Sequence, residues 1–383
     1  MSCPCSRSRF RWLRRLCSLV CAVVGCCSLP PAKAQNLDKP LQSIDEEITA
    51  FAYAPDGRIV YSVYRKLKTK VYDLEHDDVW LQEANGKRRR LLEGQKFNRG
   101  NQPFSYIVDS LRWSPNGRMI LVQLFTTTVV DDSGKAEDSF QTLLLDDSGR
   151  EIRINKGDSV IPDAANAVWL SDNATIAYLS ESLKPRLLFS LKFTRPANGS
   201  LPSFYEGRTF HSVAWMPGAN SAIAVEQDRN LTGPSRLQRL DLHSDDATEL
   251  ATLDSYEGGL SVSPSGKKVA YFLDKEILEI RDLASLNLVA RLRIGLGVFR
   301  WSPDESRILL KRAVEKKSGD LVWIDLPPLA ASSAHDVPVS QPQPTSILHG
   351  LTFRDFAITP DGRSLAVVIT GKRNLLVFPL PSR

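Results

Sequence analysis

Residues 111–120 read LRWSPNGRMI, and the pattern of this stretch recurs along the chain. A large apolar residue, Trp113, precedes a turn built on Pro115, and an aliphatic run follows the turn. Proline presets the backbone of the second turn position, Asp or Asn suits the third, and Gly takes the left-handed fourth. The stretch therefore predicts two short strands joined by a β-turn.

Six further copies of this hairpin occur. The apolar residues ahead of the seven turns are Tyr53, Trp113, Trp169, Trp215, Val262, Trp301 and Ile358. The turn prolines or their equivalents lie at positions 55, 115, 171, 217, 264, 303 and 360, so successive copies are 60, 56, 46, 47, 39 and 57 residues apart. Asn173 stands where glycine is expected, and Asn is the next best residue there. Glu305 breaks the pattern at the same position of the sixth copy, and the sequence offers no reason for it.

Repeats of roughly 40–50 residues with four strands each are typical of β-propeller blades. Seven copies predict an all-β, seven-bladed β-propeller of four-stranded antiparallel blades. The alternative is seven unrelated hairpins in a β-sandwich. The predicted blades lie at about 48–100, 101–158, 159–206, 207–256, 257–295, 296–350 and 351–383, within a single domain at 35–383.

Two polar segments interrupt this pattern. Residues 130–138 in blade 2 lack the regular oxygen-ligand spacing of a calcium loop, so we expect a solvated loop. Residues 327–344 in blade 6 are rich in Pro, Ala, Ser and Gln and cannot bury much apolar surface, so we expect a flexible loop. The basic run 87–90 in blade 1 is either a patch for an anionic partner or a charged edge strand, and we favour the edge strand.

The last blade has no fourth strand of its own after Asn374–Pro379. Residues 35–47, ahead of blade 1, have alternating apolar positions, with Leu41 and Ile44 the strongest, and no hairpin partner nearby. A propeller removes exposed strand edges when one terminus completes the blade begun by the other. We therefore expect 35–47 to pair with the outer edge of Asn374–Pro379, and Pro379 to end the pairing because it has no N–H.

The Pro-turn hairpin resembles the WD-repeat-like repeat of the TolB family and of the propeller domains of prolyl oligopeptidases and dipeptidyl peptidases. The resemblance covers nearly all of the chain after residue 34 and implies the propeller fold. Those peptidases append an α/β-hydrolase domain, and TolB proteins carry an additional N-terminal α/β domain. We expect neither module here, so the resemblance carries no catalytic residue over to this chain.

Residues 1–34 have the features of a secretory signal peptide. Basic residues precede the apolar run 16–29, which is short for a bilayer span, and Ala32-Lys33-Ala34 supplies the small-x-small cleavage pattern. We expect an exported protein, periplasmic or secreted after cleavage near Ala34, with no transmembrane segment in the mature chain. The alternative is a lipoprotein anchored through Cys26, because residues 23–26 resemble a bacterial lipobox.

Removing this leader changes the composition. All six cysteines lie within it, so cleavage would leave none and would exclude disulfides and thiol chemistry. The leader also holds six positive charges and no acid, so the formal net charge falls from +5 to −1. The net positive charge of the full chain is therefore no indication of nucleic-acid binding.

The chain contains no recognisable catalytic motif. The five histidines lack metal-ligand pairing, residues 259–263 do not form a nucleophile elbow, and residues 295–297 lack the third glycine and helix of a dinucleotide site. We predict no catalytic residue, no cofactor and no metal, and leave the binding residues open. The predicted function is an exported, monomeric, non-catalytic interaction scaffold whose partner is another envelope or secreted protein.

The alternative function is a propeller enzyme or small-ligand binder that uses the central channel, as propeller lactonases, lyases and glycosidases do. Such sites need converging acids, histidines or a metal on several inner strands. The predicted inner strands are mostly aromatic and aliphatic, with Arg112, Arg300, Arg354 and Asp355 as exceptions. His211 has two interpretations, a channel-facing side chain or a hydrogen-bonded structural histidine. Stoichiometric bound calcium or zinc would favour the enzyme.

Overall fold

A computed structural model describes residues 37, 39–68, 73–97, 104–129, 136–154, 158–183, 188–196, 199–201, 204–227, 233–315, 318–327, 337–371 and 374–380. The predicted leader, with Ala34 and Cys26, lies outside these residues. The described chain is almost entirely β-structure, as the repeats predict, with one short 3-10 helix at Gly94–Phe97. No helix in this described part is long and apolar enough to cross a membrane.

The strands are numbered in chain order. They are β1 (Gln42–Ile44), β2 (Ile48–Tyr53), β3 (Ile59–Lys68), β4 (Asp73–Gln82), β5 (Arg88–Leu92), β6 (Phe104–Trp113), β7 (Met119–Val129), β8 (Ala136–Asp146), β9 (Val160–Pro162), β10 (Ala165–Trp169), β11 (Ile176–Leu183), β12 (Leu188–Arg195), β13 (Gly199–Ser200), β14 (Phe210–Trp215), β15 (Ser221–Glu226), β16 (Ser235–Asp241), β17 (Ala247–Leu253), β18 (Gly258–Val262), β19 (Lys268–Phe272), β20 (Ile277–Asp282), β21 (Leu288–Arg293), β22 (Val298–Trp301), β23 (Arg307–Glu315), β24 (Ser318–Asp325), β25 (Val339–Ser340), β26 (Thr345–Leu351), β27 (Phe353–Ile358), β28 (Ser364–Ile369) and β29 (Leu375–Pro379).

Most strands pair antiparallel within successive groups of four, and single bridges, β4 with β6 and β12 with β14, join two pairs of neighbouring groups into larger sheets. The groups, which we call blades 1 to 7, are β2–β5, β6–β9, β10–β13, β14–β17, β18–β21, β22–β24 with β26, and β27–β29 with β1. The basic strand β5 is the outer strand of blade 1 and pairs only with β4, as expected for a charged edge. The apolar core lies between neighbouring blades, each of which packs on the next.

The N-terminal strand completes the last blade. β1 lies antiparallel to β29, with Ile44 opposite Leu375. The N–H of Leu41 donates to the carbonyl of Val377 at 2.7 Å. Ile44 is fully buried, whereas Leu41 is 66% exposed. The predicted pairing of the two terminal segments is confirmed, and Leu37 and Ile44 of the N-terminal segment both pack on apolar residues of the last blade.

All seven repeat turns close with the same hydrogen bond. The N–H of the fourth turn residue donates to the carbonyl of the first, at 2.8–3.0 Å. The fourth residues, all at positive φ, are Gly57, Gly117, Asn173, Ala219, Gly266, Glu305 and Gly362. Where the third residue is acidic, its side chain caps the turn: Asp361 Oδ1 accepts the N–H of Arg363 at 3.0 Å. The predicted turn geometry is confirmed, but Ala219 and Glu305 occupy the left-handed position for which glycine was predicted.

The position of Glu305 is explained by the neighbouring blade. Its φ is 55°, and its Oε1 accepts the backbone N–H of Ser265 in the blade 5 turn at 2.5 Å. Its Oε2 lies 3.7 Å from Lys268 Nζ. A non-glycine residue in the left-handed region costs on the order of 1–3 kcal/mol, which these charge-assisted contacts offset. Glu305, which departs from the repeat pattern, therefore links blade 6 to blade 5.

Neighbouring turns contact one another along one end of the molecule. A Cβ placed on Gly362 would lie 3.1 Å from Pro303, and one on Gly266 would lie 3.3 Å from Pro217, each in the preceding turn. We call this surface the turn face and define it as residues 55–57, 115–117, 171–173, 217–219, 264–266, 303–305 and 360–362. Proline of one turn packing on glycine of the next gives the repeated Pro-x-Gly pattern a second physical reason.

Both predicted loops are partly wrong. In the segment 130–138, residues from Ala136 onward belong to β8, because they pair with the extended end of β7. In the segment 327–344, β25 pairs in parallel with β21, with Val339 opposite Arg291. The composition of the whole segment misled the prediction, since the pairing uses backbone groups of β25 together with the Ser340 hydroxyl, which donates to the carbonyl of Arg291 at 3.2 Å. Residues 130–135 and 328–336 lie outside the described part of the chain.

Candidate functional site

The first strands of the blades lie beside one another and form the inside of the ring, with β2 beside β6, β14 beside β18, and β18 beside β22. Side chains also join them. Trp113 Nε1 donates to the carbonyl of Ala52 at 3.3 Å, and Trp215 Nε1 donates to the carbonyl of Asn166 at 3.1 Å. In a β-propeller, strands in this position surround the central channel.

Six inner strands carry a register shift, namely β2, β6, β10, β14, β18 and β27. Such β-bulges turn a side chain away from the regular ladder and are frequent beside binding sites. The residues within these shifts include Thr49, Asp109, Asn166, His211, Gly259 and Arg354. Most of the residues at these bulges are therefore polar.

The side chains at these register shifts differ in their exposure to solvent. Asp109, His211 and Arg354 are exposed, and Asn166 is partly exposed. Thr49 is buried instead, and its Oγ1 donates to Asp77 Oδ2 at 2.6 Å. His211 makes no side-chain hydrogen bond within the described residues, and its ring lies 6.0 Å from that of Tyr256. Its exposure favours the channel-facing interpretation of this histidine.

A second level of the channel contains two arginines. The residues directly before the large apolar residue of each repeat are Ala52, Arg112, Val168, Ala214, Ser261, Arg300 and Ala357. Five of these side chains are short, and the two arginines come from non-adjacent blades. Burial and the nearby charge of Arg300 together lower the pKa of Arg112 to about 10. The positive charge of Arg300 therefore acts unfavourably on that of Arg112.

Asn166 holds Arg112 in place. Arg112 Nη2 donates to Asn166 Oδ1. The Asn166 amide is itself fixed, because its backbone N–H donates to Gln123 Oε1 at 2.6 Å and its Nδ2 donates to the carbonyl of Val213 at 3.1 Å. Its φ of 49° is one that Asn tolerates better than most residues. The bulge in β10 thus orients a charged side chain from the neighbouring blade.

Arg300 has a different environment at the junction of blades 6 and 7. Its Nη2 lies 3.5 Å from Asp355 Oδ1, and its guanidinium carbon lies 5.4 Å from the centre of the Phe356 ring. Lys311 Nζ donates to the carbonyl of Phe353 at 2.7 Å. Burial lowers the pKa of Lys311, and the charge of Asp355 opposes that shift. This junction therefore adds positive charge to the channel.

The channel carries more positive than negative side chains. On the first strands, within the described residues, the cations are Arg112, Arg300 and Arg354, and the carboxylates are Asp109 and Asp355. Asp109 Oδ2 accepts a hydrogen bond from Gln123 Nε2 at 2.8 Å. No group of three His, Cys, Asp or Glu side chains within the described residues is placed to hold a metal ion. Such a lining can bind an anion through guanidinium groups.

Comparisons with known proteins establish the fold and leave the function open. No family model matches the sequence, and no curated protein matches it. A chain from the crystal structure of the mitotic checkpoint complex aligns over 94% of this chain and 99% of its own length, with a TM-score of 0.57 and 15% identity. The β-propeller domain of Myceliophteria thermophila Cps50 (Swd1) aligns over 89% and 100%, with a TM-score of 0.54 and 12% identity. The chain therefore has the WD-repeat-like β-propeller fold.

Proposed function

We propose that this protein is an exported, non-catalytic β-propeller that binds another envelope or secreted protein through its turn face. The observation that carries this proposal is the construction of that face. Its seven turns share one hydrogen-bond pattern, and neighbouring turns are fixed to each other by proline–glycine packing and by side-chain bonds such as Ser265 to Glu305.

The turn face presents a preorganised surface to a partner. The second and third residues of all seven turns are exposed, including Pro55, Pro217, Pro303 and Pro360. Binding to a surface whose backbone is already fixed loses little conformational entropy, so more of the contact energy remains as affinity. One structurally similar chain comes from a protein complex, and this analogy of fold supports a binding role without identifying the partner.

The export part of the proposal rests on the sequence of residues 1–34. N-terminal sequencing of the protein isolated from its native source should give a chain that starts at Gln35, after Ala34. A lipid-modified Cys26 at the N-terminus would instead indicate a membrane-tethered lipoprotein. An unprocessed chain that begins at Met1 would contradict export.

Site-specific crosslinking tests the binding surface. A photo-crosslinking amino acid is placed at Asp56 or Asp361 on the turn face and, as a control, at the exposed Lys275. Lys275 lies between β19 and β20, at the end of the molecule opposite the turns. We expect both turn-face positions to capture the same protein and Lys275 not to capture it. Capture from Lys275 alone, or from none of the three positions, would refute a role for the turn face.

A further inference from the structure

Arg112 and Arg300 form a pair that the fold does not require. They occupy the same position of the repeat in blades 2 and 6, where the other five blades have short side chains. Short residues satisfy this position structurally, so the arginines are additions to the channel lining. Both arginines lie on first strands, and the charge of Arg300 is unfavourable for Arg112.

The charge of Arg112 lacks a direct counter-ion. Within the described residues, its one side-chain hydrogen bond is to the neutral amide oxygen of Asn166. The carboxylate of Asp109, in the same blade, contributes favourable charge but is hydrogen-bonded to Gln123. A buried cation is normally paired, because burying an uncompensated charge is costly. The arrangement orients a partly buried guanidinium that has no carboxylate bonded to it within the described residues.

Arg300 is likewise incompletely paired. Its contact with Asp355 measures 3.5 Å, whereas charge-assisted N–H to carboxylate bonds are usually about 2.7–2.9 Å. Its Nη1 donates to the carbonyl of Phe299 at 3.1 Å, and its side chain is 46% exposed. The group is therefore oriented by its neighbours and still accessible from the channel.

We propose that the channel binds a small anion through a phosphate or carboxylate group placed between Arg112 and Arg300. Guanidinium groups bind both kinds of oxyanion through paired N–H donors, and a bound anion would offset the unfavourable effect of Arg300 on Arg112. Asn166 acts as a positioning residue, because its bonds to Gln123 and Val213 fix the amide that orients Arg112. The site is separate from the turn face and does not depend on the proposed protein partner.

Calorimetric titration tests the proposal with two probes, inorganic phosphate and succinate, at constant ionic strength set by sodium chloride. We expect at least one probe to bind at a single site. Arg112→Gln and Arg300→Gln should each weaken that binding by about tenfold or more, the usual effect of losing a charged hydrogen bond. Arg293→Gln is the matched control, since Arg293 is an exposed arginine on β21 paired with Glu276 at 3.0 Å. This variant should bind like the unaltered protein.

The melting temperature without an anion separates binding from a structural role. Removing a partly buried charge that has no carboxylate bonded to it should leave Arg112→Gln at least as stable as the unaltered protein. Binding of phosphate alone would identify the ligand group as a phosphate, and binding of succinate alone would identify a carboxylate. The proposal is overturned if neither probe binds, if both channel variants retain full affinity, or if Arg293→Gln loses affinity equally. If Arg112→Gln does not fold, Arg300→Gln provides the same test.

Discussion

Replacing Ile44 by alanine tests how strongly the N-terminal strand stabilises the last blade. Ile44 is fully buried in a cluster that also contains Ile48, Phe51, Leu375 and Val377. The substitution removes three buried carbons, each worth about 0.8 kcal/mol, or about 2.4 kcal/mol in total. The cavity left behind adds to this cost, so we expect the free energy of unfolding to fall by about 3 kcal/mol, within the usual range of about 2–5 kcal/mol.

Equilibrium unfolding in urea, followed by tryptophan fluorescence, measures this loss. Leu41→Ala is the matched control: Leu41 flanks the same strand but is 66% exposed, so its replacement should change the free energy by less than about 0.5 kcal/mol. Deleting residues 35–47 should cost more than Ile44→Ala and should promote aggregation, because the edge of β29 would be uncovered. Equal stability of Ile44→Ala and Leu41→Ala would refute this account of the terminal pairing.

Two further predictions concern the repeat turns. Glu305→Gly and Glu305→Ala both lose the hydrogen bond to Ser265. Glycine adopts the positive φ of this position without strain, whereas alanine does not. The alanine variant should therefore be less stable than the glycine variant by about 1 kcal/mol. Equal thermal stability of the two variants would contradict this explanation of the turn. Hydrogen bonds from Thr359 and Arg363 hold the pKa of Asp361 below its ordinary value of 3.8. The ionised Asp361 side chain therefore stabilises the folded protein above pH 3.8, and this stabilisation is lost as the pH falls through the pKa of Asp361 in the folded state. Asp361→Asn should flatten the decline of melting temperature in acid, and an unchanged pH profile would count against this role.

The turns could be predicted from sequence because their chemistry is local. Proline, Asp or Asn, and Gly act within four residues, so copies such as 114–117 are recognisable alone. Glu305 could not be explained in this way, since its partner Ser265 lies in another blade. The strand β25 was missed for a similar reason, because its pairing with β21 depends on backbone groups that composition does not reveal.

The channel was only partly predictable. Arg112 and Arg300 stand out as charged residues on apolar strands. When the repeats are aligned on Trp113 and Trp301, each arginine lies directly before the tryptophan of its repeat. The unfavourable effect of Arg300 on Arg112 depends on ring geometry, which spacing along the chain does not give. The bulge at Asn166 was also missed, because no glycine or proline marks it. Its left-handed conformation depends on bonds to Gln123 and to its neighbours in blade 4.

The pairing of β1 with β29 constrains the order in which the nascent chain can fold. The two ends of this blade meet at Asp45 and Asn374, which are 329 positions apart and joined by a hydrogen bond of 2.6 Å. At synthesis rates of about 5–20 residues per second, β1 leaves the ribosome roughly 20–60 seconds before its partner exists. During that interval Ile44 has no β29 to pack against, and blades 1 to 6 must hold together without the seventh. Contacts between such distant positions also slow folding, so joining the two termini is a late event in the life of each new molecule.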